Sequence, residues 1–290
     1  MISILVTGGT GFIGSHTCLL LLQRGFKLYI IDSEINSCKN VLNKIAFLLK
    51  FNDEDFKNKI NFFHGDIRDI FFVEKVFFTA SKKNEPIESV FHFAGLKSVL
   101  ESIKYPMKYW DNNVIGTINL LNVMQKNNCK NLIFSSSATI YKTAERKNLK
   151  ECSEISPTNT YGDTKSTIEN ILKSLFKSEP NEWKIANLRY FNPIGAHKSG
   201  LIGEQPIGVP NNIFPILLKV AYRSQKTFKI YGNDWNTKDG TCIRDYIHIM
   251  DLAEGHLAAF EFISKNPSQI ININLGTGKG YSVLELINTF

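Results

Sequence analysis

Ser3-Ile4-Leu5-Val6-Thr7-Gly8-Gly9-Thr10-Gly11-Phe12-Ile13-Gly14 is an apolar run that breaks into glycines and then resumes as a helix. The order strand, tight turn, helix governs how the rest of the chain is read. Gly8, Gly11 and Gly14 let the backbone turn without a Cβ, approach a pyrophosphate and seat the new helix against its strand. The free N–H groups and positive dipole end of that helix then face a diphosphate. Glycines also mark ordinary turns, so the context has to decide. Leu28-Tyr29-Ile30-Ile31-Asp32 supplies it, a second apolar strand ending on an acid about 20 residues downstream. A carboxylate there accepts both ribose hydroxyls of an adenosine and repels a 2'-phosphate. The stretch therefore predicts a dinucleotide site that takes NAD rather than NADP.

With 290 residues, 43% of them hydrophobic and 21% charged, the chain has room for one large or two moderate domains. Its start belongs to the first strand and lacks a basic leader and a small-residue cleavage site. The longest leucine run, Leu19 to Leu22, is followed at once by Gln23 and Arg24, well short of a membrane span. A soluble, cytoplasmic protein is the expectation. Five cysteines, an odd number with no close pairs, fit a reducing compartment and contain no metal or redox motif. The six histidines show no ligand spacing, so no metal is expected; His64 and His92, in or beside apolar runs, read as packed and hydrogen-bonded. The net charge of +7 raises the question of nucleic acid, but the lysines are scattered, often beside asparagine, with no stripe of interleaved aromatics. A solvated basic surface is expected, with neither a nucleic-acid nor a membrane partner.

Further along, Asn36 to Phe51 contains a helical pattern, and Ile60 to Asp66 reads as a third strand ending on an acid. Phe71 to Ala80 is a helix, and Ser89 to Gly95 a strand that stops in a small-residue turn, where a cofactor can come close. Helical spacing marks Tyr109 to Lys126; Asn131 to Phe134 is a short buried strand opening onto Ser135-Ser136-Ser137-Ala138-Thr139. A long helix starts near Tyr161 and runs until Pro180, and Ile185 to Leu188 is one more strand. The pattern is α/β, a doubly wound parallel Rossmann sheet. From Arg189 onward prolines and glycines multiply without the apolar residues ceasing. Residues 1–188 are accordingly expected to form a dinucleotide-binding domain, and 189–290 a second, smaller substrate domain with segments returning to the first. Within it Asp245 to Ser264 reads as a helix and Ile270 to Gly276 as a strand.

Tyr161 and Lys165 stand four residues apart, on one face of a helix. A tyrosine is a poor base at its usual pKa of about 10, but a nearby ammonium and a positive nicotinamide ring both favour the phenolate. Such a pair also arises by chance in many helices. Here it stands with Ser137 at the end of a central strand, where a hydroxyl can orient a substrate alcohol beside the base. Serine also caps strand ends and turns, which is the reading for Ser135 and Ser136.

Together, Gly8, Gly11, Gly14, Asp32, the serine strand end and Tyr161 with Lys165 resemble the extended short-chain dehydrogenase/reductase superfamily. Thr7 to His16, His92 to Lys97, Ser135 to Tyr141, Arg189 to Ala196, Pro210-Asn211-Asn212 and Asp239 to His248 narrow the resemblance to its UDP-glucose 4-epimerase family. These blocks cover almost the whole chain. The resemblance implies that Phe12, Ile13, Asp32, Asn36, Ser37, Asp66, Ile67, Phe93, Ala94, Gly95, Lys97, Asn113 and Phe191 line an NAD site, with Lys165 on the nicotinamide ribose and Tyr161 beside it. It implies that Ser137, Tyr161, Asn192, Asn212, Tyr231 and Arg244 contact a UDP-sugar, with Thr139 assisting Ser137. Asparagines in loops serve turns as well; Arg244 also reads as a surface ion-pair partner, and Tyr231 as a packed aromatic.

The implied activity is 4-epimerisation of a UDP-hexose through a 4-keto sugar, with Tyr161 as base and no net consumption of NAD, in a homodimer joined through the helices at 109–126 and 161–177. Other members of the superfamily remain as alternatives, UDP-N-acetylglucosamine or UDP-glucuronate 4-epimerases among them, as does a non-catalytic NAD-binding protein. A 4,6-dehydratase is disfavoured, because Ile140-Tyr141 rather than an acid pair follows Thr139. Lys142 departs from the glycine usual in the family. Ser282 to Phe290 reads as an unfinished helix, and the family continues for some tens of residues with a second arginine for the diphosphate. The expectation is that residues 1–290 hold NAD but epimerise poorly.

Overall fold

Strand β1 (Ser3–Thr7) is buried along its whole length, as a central parallel strand covered on both faces must be. The structure, a computed structural model, describes residues 1–142, 148–208, 210 and 212–290; Asn211 of the Pro210-Asn211-Asn212 block lies outside the described residues. The glycine turn leads into α1 (Phe12–Gln23), buried from Gly14 to Leu22. Then follow β2 (Lys27–Asp32), α2 (Asn40–Leu48), α3 (Asp53–Lys59) and β3 (Ile60–His64). The α3 helix starts with a capping box in which Asn52 and Asp55 satisfy each other's backbone N–H groups. Next come α4 (Ile70–Lys82), capped by Asp69, and β4 (Ile87–His92).

A helical stretch of α5 (Val99–Lys104), α6 (Pro106–Tyr109) and α7 (Gly116–Lys126) follows, its last two pieces joined through a wider π turn at Trp110–Ile115. Strand β5 (Asn131–Ser137) passes through a single 3-10 turn, Ala138–Ile140, toward α8 (Thr160–Ser178). The remaining elements are β6 (Lys184–Tyr190), β7 (Asn192–Ile194), α9 (Ile213–Ala221), β8 (Ile243–His248), α10 (Ile249–Lys265), β9 (Gln269–Leu275), β10 (Gly280–Ser282) and α11 (Val283–Thr289).

Seven parallel strands form the main sheet in the order β3-β2-β1-β4-β5-β6-β9. Alternate residues of each strand face opposite cores. Ile4, Val6, Leu28, Ile30 and Ile133 meet α1 and α10 on one side; Leu5, Tyr29, Ile31, Leu132 and Phe134 meet α4, α7 and α8 on the other. This is the doubly wound α/β arrangement. The order reverses between β1 and β4, so the crevice for a ligand opens at their carboxyl ends, where the glycine turn lies. A small second sheet, β10-β8-β7, stands beside that edge.

Three sequence expectations need correction. The helix read from Asp245 begins only at Ile249; Ile243–His248 is strand β8, paired with both β7 and β10. Its cross-strand partners override the helical spacing, and His248 accepts a bond from the Met250 N–H as the cap. The strand read as ending at Phe134 continues through Ser137, where the Ser136 hydroxyl finds a buried partner, Glu169, in the extended conformation. Of the two histidines expected to be packed, His92 is buried, but His64 lies on the surface.

Candidate active site and dinucleotide cleft

The glycine turn is shaped by three different constraints. Gly8 has φ +71° and a Cβ there would lie 2.7 Å from the Ala94 nitrogen. At Gly14 a Cβ would fall 2.2 Å from the Gly8 carbonyl oxygen, so α1 could not start where it does. A Cβ on Gly11 meets only that oxygen, at 3.3 Å, and otherwise open space. The first turn of α1 has no side-chain cap. Open space above unclaimed N–H groups at a helix N-terminus fits a diphosphate.

Asp32, almost wholly buried at the end of β2, is held in one orientation. Its Oδ2 accepts from the Thr10 N–H at 3.0 Å, and its Oδ1 from the Glu34 N–H at 2.9 Å and the Ser37 hydroxyl at 3.0 Å. Thr10 in turn donates to Ser37 at 2.8 Å. A carboxylate has about four acceptor positions, so one stays open to a ligand hydroxyl. No arginine pairs with it among the described residues. Asn36, on the same loop, accepts from the Ile207 N–H at 3.0 Å. On β3's exit, Asp66 is gripped by Arg68; burial works to raise its carboxyl pKa, but the Arg68 bonds prevail and lower it. Ile67 is buried against Gly116.

At the end of β4 the loop from Phe93 to Lys97 is fixed from beneath. Asn113, in the π turn, accepts from the Leu96 N–H at 2.8 Å and donates to the Leu96 carbonyl at 3.0 Å. It therefore shapes the loop around Ala94 and Gly95. His92 lies below, bonded to Thr7 at 2.6 Å and Thr117 at 2.9 Å. Thr117 donates to the Asn113 carbonyl, so His92 Nε2 carries the proton given to Thr117, and its Nδ1 accepts from Thr7. Burial, with Lys165 adding to it, pushes His92 down to about 3, which keeps it neutral.

Ser137, Tyr161 and Lys165 converge where β5 ends and α8 begins. Asn159 caps α8 by accepting from the Gly162 N–H, and the Tyr161 N–H donates to Ser102, which fixes the first turn. Ser137 Oγ accepts from the Thr139 N–H at 3.2 Å and the Thr139 hydroxyl at 2.9 Å, which leaves its own proton to favour a phenolate at Tyr161. The Lys165 ammonium donates to the Ser135 carbonyl at 2.7 Å and stands 5.9 Å from the centre of the Tyr161 ring. Burial pushes Tyr161 up to about 12 against the pull of Ser137 and pushes Lys165 down to about 7. In the protein by itself, burial thus outweighs the depression of the phenol expected from Lys165.

The residues expected around a UDP-sugar are less closely gathered. Phe191 lies against Gly276 just beyond β6, and Asn192, on β7, has no side-chain hydrogen bond among the described residues. Asn212, at the start of α9, donates to Glu204 at 2.5 Å, and Glu204 also pairs with Lys97 at 3.2 Å. Tyr231 is 85% exposed, which excludes the packed-aromatic reading, and the exposed Arg244 donates to the Ile243 carbonyl and has no ion pair among the described residues. Sequence reasoning missed Glu204 and the buried Glu169 and Arg189. Glu204 carries no local signal; Glu169 could have been noticed as the next residue after Tyr161 and Lys165 on the same helix face.

Residues 4–274 match the NAD dependent epimerase/dehydratase family. The chain is 46% identical over 288 residues to "UDP-glucose 4-epimerase" of Bacillus subtilis, covering 99% of this chain and 81% of that protein. It is also 46% identical over 293 residues to "Bifunctional protein GAL10" of Pachysolen tannophilus, of which it spans only 41%. The crystal structure of UDP-glucose 4-epimerase from Bifidobacterium longum in complex with NAD+ and UDP superposes with a TM-score of 0.89 at 42% identity, covering 99% of this chain and 81% of that one. With residues 4–274 matched by the family and a relative 46% identical over nearly the whole chain, the chain belongs to the NAD-dependent epimerase/dehydratase family.

Proposed function

We propose that the protein is an NAD-dependent 4-epimerase of UDP-hexoses, interconverting UDP-glucose and UDP-galactose. The observation that carries this reading is the convergence of Thr139, Ser137 and Tyr161 where β5 ends and α8 begins, with Lys165 held by the Ser135 carbonyl. The relatives named UDP-glucose 4-epimerase, and the NAD+ and UDP held by the B. longum enzyme, support the choice of cofactor and substrate.

Gly8, Gly11 and Gly14 with the first turn of α1 would hold the diphosphate of NAD, Asp32 its adenosine ribose, and Phe93, Ala94, Gly95, Lys97 and Phe191 its nicotinamide half. Bound there, NAD supplies a hydride acceptor that later returns the hydride. Tyr161 as phenolate takes the proton of the sugar C4 hydroxyl, which Ser137 helps to position beside it. Lys165, held by the Ser135 carbonyl, meets the nicotinamide ribose. The flat 4-keto sugar turns about its diphosphate tether, and Tyr161 returns the proton when the opposite face is reduced. Residues 189–290 would bind the UDP-sugar, with Asn192, Asn212, Tyr231 and Arg244 closing on it.

No helix among the described residues is long and apolar enough to cross a membrane. We place the enzyme in the cytoplasm as a homodimer. The exposed Leu100, Ile103, Met107 and Ile115, on α5, α6 and the turn after it, support pairing through this side. The experiment that tests the function is Tyr161→Phe, which keeps the ring and removes the base. It should bind UDP with unchanged affinity and lose at least about a hundredfold in turnover; near wild-type turnover would refute the role.

A further inference from the structure

Three consecutive residues at the end of β5 each hold one position on α8. The Ser135 carbonyl accepts from Lys165 at 2.7 Å, the Ser136 hydroxyl donates to Glu169 Oε1 at 2.6 Å, and the Ser137 hydroxyl meets Tyr161. Tyr161, Lys165 and Glu169 are spaced by four, so they line one face of the helix. The proposed reaction uses the first and third of these links. The middle one is buried and leads elsewhere.

Glu169 and Arg189 are 7% and 2% exposed. Arg189, on β6, grips the carboxylate with two bonds, Nε to Oε1 at 2.9 Å and Nη2 to Oε2 at 2.6 Å. Its Nη1 donates to the Tyr141 hydroxyl and the Glu151 carbonyl, both at 2.9 Å. Tyr141 donates onward to Asn274 of β9 at 2.6 Å. Every charged atom of the pair therefore has a partner. A buried pair so satisfied adds little net stability over apolar residues of the same volume. What it adds is a single geometry, because any shift breaks several bonds at once in a low-dielectric interior.

We propose that Glu169 and Arg189 are positioning residues for Tyr161: through Ser136 they lock the register of α8 against the end of β5, and so the placement of Tyr161 beside Ser137. This inference rests on the reading of Tyr161 as the base. Loss of the lock lets Ser137 and Tyr161 separate, and the phenolate then loses the donor that favours it over the phenol.

Ser136→Ala cuts the link to β5 and leaves the ion pair whole, so it avoids the folding defect that removing one charge invites. Glu169→Gln is the second variant, keeping shape and one acceptor. The expected result for Ser136→Ala is a kcat lowered about tenfold at unchanged KM and melting temperature, with the acidic limb of the kcat profile moved to higher pH and Ser136→Thr restoring both. Independently of activity, protein carrying tyrosine labelled with 13C at Cζ, with Tyr161 assigned through Tyr161→Phe, should show the Tyr161 resonance displaced in Ser136→Ala and Glu169→Gln. An unmoved resonance in both variants would overturn the proposal, as would a fall in melting temperature, kcat and KM together in Ser136→Ala. If the wild-type protein epimerises no UDP-sugar, the functional reading fails, and the resonance still decides this one.

Discussion

Lys165 reaches back from α8 to donate a hydrogen bond to the carbonyl oxygen of Ser135, 2.7 Å away. It makes no ion pair among the described residues, and only 4% of its surface meets solvent. Burial therefore sets its proton affinity at about 7, against an ordinary lysine value of 10.5. The unfolded chain binds a proton here between those two values and the folded chain does not, so this residue costs stability in full below pH 7. The cost disappears as pH rises toward 10.5. Chemical denaturation of the cofactor-free protein should show the wild type gaining on Lys165→Met between pH 7 and 10. Each pKa unit is worth about 1.4 kcal/mol. A pH-independent gap between the two proteins would contradict the burial of this lysine.

Gly11 and Gly14 should respond oppositely to alanine. Gly14→Ala forces a Cβ to 2.2 Å from the Gly8 carbonyl, a contact that has to move backbone, so loss of several kcal/mol or failure to fold is expected. Gly11→Ala should keep its melting temperature within a few degrees and weaken NAD at least about tenfold, since its methyl enters the space proposed for the diphosphate. Calorimetric melting and NAD titration of both variants check this; unchanged NAD affinity in Gly11→Ala would place the cofactor elsewhere.

Asp32 is expected to exclude NADP. Asp32→Ala should lose affinity for NAD by about tenfold or more and, by removing the carboxylate that repels a 2'-phosphate, narrow the preference for NAD over NADP. Fluorescence titration with both nucleotides measures the ratio, and a ratio equal to that of the wild type would remove Asp32 from the ribose site.

Much of this architecture was legible because its strands are buried on both faces and end on distinctive residues. The glycine turn, Asp32 and the pair Tyr161 and Lys165 could be located from spacing alone. The extent of β5 could not, since serines carry no strand preference and Ser136 is held in the strand by Glu169, 33 residues later. Nor could β8, whose apolar spacing runs on into a helix and whose extended form depends on β7 and β10. Asn113 was legible as a site residue only through the family resemblance. Its bonds to Leu96 show that it shapes the loop from Phe93 to Lys97. Glu204 ties Lys97 to Asn212 across more than a hundred residues, a link no local pattern announces.

The exposed apolar side chains of Leu100, Ile103, Met107 and Ile115 should lie in a dimer interface. Ile103→Glu puts a charge into that surface and should give a monomer of 32.9 kDa in sedimentation at micromolar concentration, where the wild type sediments as a dimer. A monomeric wild type would remove this face as the pairing surface.

The most direct test of the account is to incubate the purified protein, supplied with NAD, with UDP-galactose and with its N-acetylated and uronate counterparts, and to follow the anomeric protons by NMR. The account predicts that UDP-glucose appears from UDP-galactose until the two reach a fixed ratio, that total NAD is unchanged, and that Tyr161→Phe leaves the spectrum of UDP-galactose unaltered. Protein with NAD bound that converts none of these sugars, or a Tyr161→Phe variant that converts them at the wild-type rate, would contradict it.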